Sequence, residues 1–504
     1  MKNLLLIIIL VLGNSSLIAQ DHGTIGNEFW LAFMENITLD HNGSPQFSIF
    51  ISATDSGNAT VTAPATGLTF SFAYNENSVT EYILPEGIFY ALGSEEVQNF
   101  GLRINTSTLT NVFTVHFRIY FSEASMLLSK NILGDEYFIT AVEDFDNAGN
   151  SPSCFVIVAT EDNSEIEIIP ASTTAALRPA GVPFTVVLNE GESYQVQSLG
   201  DLTGTKVKAV NESKLAVFAG AVRSDLFCDE SADNHLFDQL FPISYASQSF
   251  VLIPFKEQGN SIFKILAVED NSEISINENV ITTLQAGEFI ELVYDTPHML
   301  TSNKGVLVTQ LNPSQNCNLS QLGDPTMLQL HSMEYRIKSM KFKNLTGFIG
   351  SANAFSKQCL TLFTESENID GVFINDENIS TQFQEFPGYP SYSYAMLTLP
   401  EGNAKLEAPD GVLAYAYGFG NFDAYSYALG FDEDESISTI GIQPGFELQL
   451  FPNPTLDQIK INTSLIMDQV ELFDINGRLL MSKNPLSNRS SIDLSSLPAG
   501  FYLT

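Results

Sequence analysis

Phe155-Val-Ile-Val-Ala-Thr-Glu-Asp-Asn163 runs into Ser164-Glu-Ile-Glu-Ile168, and the pattern returns as Phe263-Lys-Ile-Leu-Ala-Val-Glu-Asp-Asn271 running into Ser272-Glu-Ile-Ser-Ile276. Each copy reads as an apolar strand, an acidic turn and an alternating strand. Ile166 with Ile168, and Ile274 with Ile276, set a period of two, which buries one face and leaves the other wet. Asp and Asn at a turn bond locally and tolerate left-handed backbone, so the carboxylate clusters here are most simply hairpin turns. Two looser copies flank this pair. Phe47-Ser-Ile-Phe-Ile-Ser-Ala-Thr-Asp55 leads into Asn58-Ala-Thr-Val-Thr62, and Leu360-Thr-Leu-Phe-Thr-Glu-Ser366 leads, after an insertion, into Gly371-Val-Phe-Ile374.

The segments downstream of these turns recur as well. Pro183-Phe-Thr-Val-Val-Leu-Asn-Glu-Gly191 has a counterpart in Ile281-Thr-Thr-Leu-Gln-Ala-Gly-Glu-Phe-Ile-Glu-Leu-Val293. Lys214-Leu-Ala-Val-Phe-Ala-Gly220, Lys304-Gly-Val-Leu-Val-Thr-Gln310 and Gly411-Val-Leu-Ala-Tyr-Ala-Tyr417 form a third series. A spacing of about 100 residues with six or seven short strands per unit is the size of a β-sandwich. The expected fold is therefore all-β, in tandem sandwich-like repeats. Two four-stranded blades per unit, closing into a propeller, is the alternative.

The 504 residues leave room for roughly three or four domains. With 44% apolar residues, 37 Phe and 17 Tyr, disorder is excluded as a general description. The 59 acidic against 22 basic residues give a formal net charge of −37. Nucleic acid and anionic lipid want a positive face, so both are poor partners. Cations, basic proteins and neutral glycans remain open.

Both ends speak of export. Lys2 precedes an unbroken apolar run, Leu4 to Leu12, and Ser15-Ser-Leu-Ile-Ala-Gln20 offers small residues for a signal peptidase. Residues 1–20 therefore read as a signal peptide, and the run is too short to span a membrane. No later segment approaches the roughly 18 apolar residues a span needs. At the other end, acidic Asp432-Glu-Asp-Glu-Ser436 opens a linker at 431–445. Phe446-Glu-Leu-Gln-Leu-Phe451 then runs into Pro452, Asn453 and Pro454. Val470 to Leu480 reads as strand, Asn-Gly turn at Gly477, strand, and Leu497-Pro-Ala-Gly500-Phe-Tyr closes the chain.

That order of motifs over 446–504 resembles the type A C-terminal sorting domain of the Bacteroidota type IX secretion system. The resemblance implies passage through the periplasm, export by that machinery, and surface attachment or release. Such domains continue past the last strand to a basic end, so a chain stopping at Thr504 reads as a fragment or as carrying an incomplete export signal.

Residues 21–430 resemble the N-terminal domain of the IgGFc-binding protein. Gly26-Asn-Glu-Phe-Trp30-Leu-Ala-Phe-Met34 is similar to its opening motif. The Ala159 to Asn163 turn, Leu202-Thr-Gly-Thr205 and Leu215 to Gly220 follow in order. Then come Cys228-Asp229 and His235-Leu-Phe-Asp238-Gln239, the family having Glu where Asp238 stands, and Gly323-Asp-Pro325. The resemblance implies a secreted surface protein of adhesive type. Fc binding does not follow from it, because a fold does not carry its function along.

Local chemistry is sparse. Asp144, Asp146 and Asn150 place oxygen ligands in one short loop, as a calcium site would want, and an Asx-rich turn accounts for the same residues. Cys154, Cys228, Cys317 and Cys359 permit two disulfides in three connectivities, and Cys317–Cys359 is preferred on proximity. His235 with Cys228 and Asp233 hints at a Cys–His nucleophile, but a disulfide-bonded Cys228 and a packed histidine explain them more simply. Phe386-Pro-Gly-Tyr-Pro-Ser-Tyr-Ser-Tyr394 is expected to be an exposed aromatic loop. Tyr415 to Phe422 reads instead as a buried strand. The sequence thus points to a non-catalytic surface binder of glycoprotein or polysaccharide. A secreted hydrolase with an unrecognised site and a structural surface component are the alternatives.

Overall fold

The computed structural model describes residues 6–8, 23–37, 44–85, 90–143, 151–227, 232–347 and 355–432, and further on 448–451, 458–467, 470–474, 479–483, 487–494 and 501–503. The chain divides into two compact units, one of residues 21–433 and one joining 1–20 to 434–504. Among the described residues, regular structure is strand with four single 3-10 turns.

The larger unit repeats one topology four times, over residues 26–127, 136–239, 247–329 and 337–428. The first repeat shows the scheme. Its long strand, Leu102–Phe117, pairs through its first half with Gly26–Leu31 and Gly57–Ala63. Through its second half the same strand pairs with Gln46–Ala53 and Glu123–Leu127. It therefore crosses from one sheet of a sandwich to the other. His298–Leu311 and Gly402–Gly420 do the same in the third and fourth repeats. In the second repeat the long strand is broken into Lys206–Ala209 and Leu215–Ser224, with Glu212 at φ +61° between them.

The acidic turns are not hairpins. Ser153–Ala159 pairs with Ser193–Ser198 and Leu215–Ser224, whereas Ser164–Ile169 pairs with Phe184–Leu188 and Lys206–Ala209. The two strands flanking Glu161-Asp162-Asn163 lie in different sheets, and the turn arches between them. Alternation alone cannot separate an arch from a hairpin, since both place a polar turn between two strands. The turn chemistry is as expected: Asn163 and Asn271 sit at φ +57° and +60°. In both turns a serine hydroxyl donates to the carbonyl three residues back, Ser164 to Glu161 at 2.9 Å and Ser272 to Glu269 at 2.8 Å.

The burial pattern explains why one strand of each arch alternates and the other does not. Along Ser164–Ile169 the isoleucines Ile166 and Ile168 are buried while Glu165 is exposed. Ser153–Ala159 is buried throughout, because its sheet is covered on both faces.

The four sandwiches close into a ring. Thr24 N–H donates to Phe431 O at 3.0 Å, and Phe431 N–H donates to Thr24 Oγ1 at 3.0 Å, joining the beginning to the end. Phe113 of the first repeat stacks on Tyr427 of the fourth at 4.5 Å, and Lys343 pairs with Glu81 at 2.8 Å. Sandwich describes each unit, and the ring supplies the propeller-like element.

Between the second and third repeats, Lys264 is buried and reaches Asp201 at 2.7 Å and Ala141 O at 2.8 Å. Beside it, Gly204 (φ +87°) comes so close to the Gly287 turn that an added Cβ would lie 2.2 Å from Gly287 O. The glycine of the Leu-Thr-Gly-Thr motif thus exists for a close approach between repeats. Gly204→Ala is expected to cost about 2–4 kcal/mol, from strained backbone plus that clash. A urea midpoint unchanged from wild type would contradict this.

Cys359 lies in mid-strand, fully buried, as a free thiol, so the preferred Cys317–Cys359 pair does not form. Its strand is enclosed between Tyr389–Leu399 and Gly402–Gly420 within the fourth repeat. Cys317 belongs to a loop of the third repeat and is itself disulfide-bonded. Cys154 is a second buried free thiol, and Cys228 lies outside the described residues.

The expected aromatic loop is also corrected. Phe386 and Tyr394 are buried and meet at 5.9 Å, and Tyr392 stacks on Phe363 at 5.2 Å. Pro387 and Gly388 merely turn a hairpin from Gln384–Phe386 to Tyr389–Leu399, with Gly388 at φ +80°. Tyr415, Tyr417 and Phe419 are buried, as expected for a strand.

In the smaller unit, Leu448–Phe451, Gln458–Met467 and Ser487–Asp493 form one sheet. Val470–Asp474 and Leu479–Lys483 pair as the expected hairpin in another, which also holds Phe501–Leu503 and, parallel to it, Leu6–Ile8.

Candidate functional site

Each repeat ends in a strand at the inner edge of its second sheet: Glu123–Leu127, Asn234–Gln239, Met327–Gln329 and Asp423–Ala428. The four inner strands pack against one another at the centre of the ring. As sheet edges they carry backbone groups without a ladder partner, and buried ones must be satisfied some other way. Carboxylates do this here.

Glu123 is fully buried. Its Oε1 accepts from Ser426 N–H (3.0 Å) and Ala124 N–H (3.1 Å), and its Oε2 from Met327 N–H (2.9 Å). The Thr326 hydroxyl lies 2.8 Å from both oxygens. One side chain of the first repeat thereby joins the third and the fourth. Asp238 of the second repeat accepts from the Ser125 hydroxyl of the first at 2.7 Å and from Gln329 N–H of the third at 2.7 Å. Gln239 Oε1 accepts from Leu128 N–H at 2.8 Å. Asp423 of the fourth repeat accepts from the N–H and hydroxyl of Ser122, at 3.1 and 3.0 Å.

Burial drives these acids upward against the pull of their donors. Glu123 is held well above the ordinary carboxylate range by desolvation. Asp238 is pushed up to about 7 and Asp423 to about 8, for the same reason. The histidines move the other way. Burial lowers His235 to about 4, His331 to about 3, and His116 well below its usual value.

The residues singled out from sequence divide clearly. Asp238 and Gln239 belong to this central network. His235 is buried, with Nδ1 3.1 Å from Val222 O and its ring edge-on to His116 at 5.0 Å. Among the described residues its ring makes no hydrogen bond to a carboxylate, and Asp233 is paired with Arg223 at 2.6 Å. Trp30 is buried in the first repeat, and its indole N–H donates to Glu28 Oε1 at 3.0 Å. Asp162 and Asp270 of the acidic turns accept from Glu190 N–H and Ala286 N–H, each at 3.1 Å, so they bind neighbouring turns. Asp144, Asp146 and Asn150, and Pro452, Asn453, Pro454, Gly477 and Gly500, lie outside the described residues. Among the described residues no group of three or more metal-binding side chains converges.

Glu123, Thr326, Asp423 and Ser426 went unnoticed in the sequence. In so acidic a chain a single Glu does not stand out. The available signal was a charge at the head of the otherwise small and apolar Ala124-Ser-Met-Leu127.

One end of the ring gathers connections from every repeat. The turns from long strand to inner strand fall at 118–122, 225–233, 312–326 and 421–422. The strand leading into each arch starts at the same end, with Gln46 opposite Phe117, Ser153 opposite Ala221, Ile262 opposite Leu311 and Lys357 opposite Phe419. This end is acidic. Asp324 is raised first by burial and then by Asp423, Asp233 and Asp225. It also carries the exposed apolar side chains Phe227 and Leu319.

Comparison with known proteins gives two family matches. The family described as IgGFc binding protein matches residues 123–418, and the secretion system C-terminal sorting domain matches residues 449–504. No curated protein matches the chain. Among solved structures, dimeric latent PorU from Porphyromonas gingivalis aligns over 49% of this chain at 12% identity, with a TM-score of 0.10. The chain spans 27% of that structure's length.

Proposed function

This chain belongs to the IgGFc binding protein family and carries a type IX sorting domain, and from that premise we propose that it is a non-catalytic binding protein displayed outside the cell. The sorting domain marks it for export to the cell surface or the medium. In this reading residues 1–20 act as the leader for the first export step. The ligand is a glycoprotein or polysaccharide, and the ring is the scaffold that presents the loops. The observation that supports it is the gathering of loops from all four repeats at one end of a closed ring. Binding residues concentrate on loops held by a rigid framework.

The test is a glycan and glycoprotein array, with IgG Fc among the spots, probed with the exported protein with and without calcium. Selective binding is the expected result. Loss on chelation would show calcium dependence and point to the Asp144 loop, and no binding to any class would overturn the reading.

The same loop end is expected to be held by a Cys228–Cys317 disulfide. Leu226 N–H donates to Ser314 Oγ at 2.8 Å and Ser314 N–H to Leu226 O at 3.1 Å, so the segments leading to the two cysteines run side by side. With Cys154 and Cys359 free, Cys228 is the one cysteine left for Cys317. Peptide mapping without reduction should recover the 228–317 cross-link, and two alkylated thiols at 228 and 317 would refute it.

A further inference from the structure

We propose that the strand Phe289–Tyr294 is a docking edge for an extended, cationic peptide segment of a partner protein, which adds to the sheet as a further strand. It is the outermost strand of the third repeat's second sheet, and it pairs only with Ser261–Ala267. Among the described residues, the backbone of 290–293 makes no hydrogen bond outside that ladder. One row of N–H and C=O groups therefore faces outward.

The other repeats show what this edge lacks. In the second repeat the equivalent strand, Ser193–Ser198, is capped by Val97–Gln98 arriving from the first. In the fourth, Tyr389–Leu399 is capped by Gln384–Phe386. In the first, Ser78–Ile83 is flanked by the fourth repeat through Glu81 and Lys343. The first repeat's strand also has no second ladder, but a side chain of the neighbouring repeat is paired onto it; among the described residues the third repeat alone leaves this position with neither a capping strand nor an ion pair from a neighbouring repeat's strand beside it. The bare strand is apolar, with Val293 45% exposed. It has no proline, and its one charge, Glu291, leans onto Lys264 at 3.1 Å. Such an edge templates strand addition.

Charge decides the occupant. Residues 261–305 hold seven acidic and two basic side chains. Lys264 is committed to Asp201, and Lys304 to the Glu269-Asp270 turn. A second copy would bring another −37 to this surface, whereas a lysine-bearing strand is attracted to it. This inference is separate from the loop end, so a positive array with a failed edge, or the reverse, distinguishes the two.

The probe is a fluorescent octapeptide alternating lysine and valine, titrated with the full chain and read by anisotropy. Val293→Lys puts a like charge on the edge at an exposed position, and Ile83→Lys does so on the first repeat's edge, with urea midpoints confirming that both variants fold. We expect binding that weakens at least tenfold in V293K and with a backbone N-methylated peptide, is unchanged in I83K, and is absent for a glutamate–valine peptide. Equal binding by V293K or by the N-methylated peptide would reduce the effect to plain charge attraction and overturn the proposal. So would the absence of binding, or a dimer of the wild type in sedimentation that V293K dissolves, since that would make a second copy the occupant.

Discussion

Glu123→Ala is expected to destabilise the ring by about 5 kcal/mol, a loss comparable with the whole stability of an ordinary domain. The change removes the acceptor for three backbone N–H groups, those of Ala124, Met327 and Ser426, and for the Thr326 hydroxyl. Each buried donor left without a partner costs about 1–3 kcal/mol. Water cannot easily replace the carboxylate, because the site is fully enclosed by four strands from four repeats. Glu123→Gln should be milder but still costly. Its amide nitrogen would face either Met327 N–H or the pair from Ala124 and Ser426, and donor would meet donor. The control is Glu81→Ala, which removes one partly exposed ion pair with Lys343 and the acceptor of the Ser48 hydroxyl, and should cost about 1–2 kcal/mol. Urea midpoints of the three variants decide it. Equal midpoints for E123A and E81A would show that the centre is not what holds the ring together.

The contrast between local pattern and distant contact explains which parts of this fold are legible in the sequence. Period-two alternation at Ile166 and Ile168 marks the strand, the acidic turn and the repeat length, because these follow from local pattern. Whether Ser153–Ala159 and Ser164–Ile169 pair with each other is a question about the broken long strand, of which Leu215–Ser224 takes the first and Lys206–Ala209 the second. That strand comes some fifty residues later and leaves no local trace. The ring rests on even more distant contacts, such as Thr24 with Phe431 and Ser122 with Asp423. Asp238 and Gln239 stand out through a family motif and not through physics. Their partners Ser125, Leu128 and Gln329 are residues of ordinary type at ordinary positions. Phe386 to Tyr394 misleads for a related reason. Two prolines and a glycine do mark a turn, but Phe363 on the facing strand supplies an aromatic bed that the segment itself cannot announce.

Raising the pH from 6.5 to 8 should destabilise the folded chain, the reverse of the behaviour of a protein held by ordinary surface carboxylates. Asp238 and Asp423 take up protons at about 7 and 8 when folded, against 3.8 for the free side chain, and Glu123 and Asp324 are raised as well. A raised carboxyl makes its full contribution below the unfolded value. It loses that contribution as pH climbs toward the folded one, because the native state then holds protons that the unfolded chain has released. His116, His235 and His331 act oppositely. Their folded values lie below 6.5, so the unfolded chain binds the extra protons and stability falls as pH drops from 6.5 toward about 3–4. Between about pH 4 and 6.5 the two sets offset each other; above 6.5 the histidine contribution fades within about one pH unit and the carboxyls dominate. A carboxyl still protonated across that upper window contributes about 2 kcal/mol, so a loss of order 3 kcal/mol is expected for the group. The measurement is the urea midpoint of the exported protein at pH 6.5 and pH 8.0, at one ionic strength so that the −37 net charge is equally screened. Asp423→Asn, which cannot ionise, should start lower but lose less between the two values. A midpoint that holds or rises at pH 8.0 would mean that the central acids are already ionised at neutrality, their donors outweighing burial.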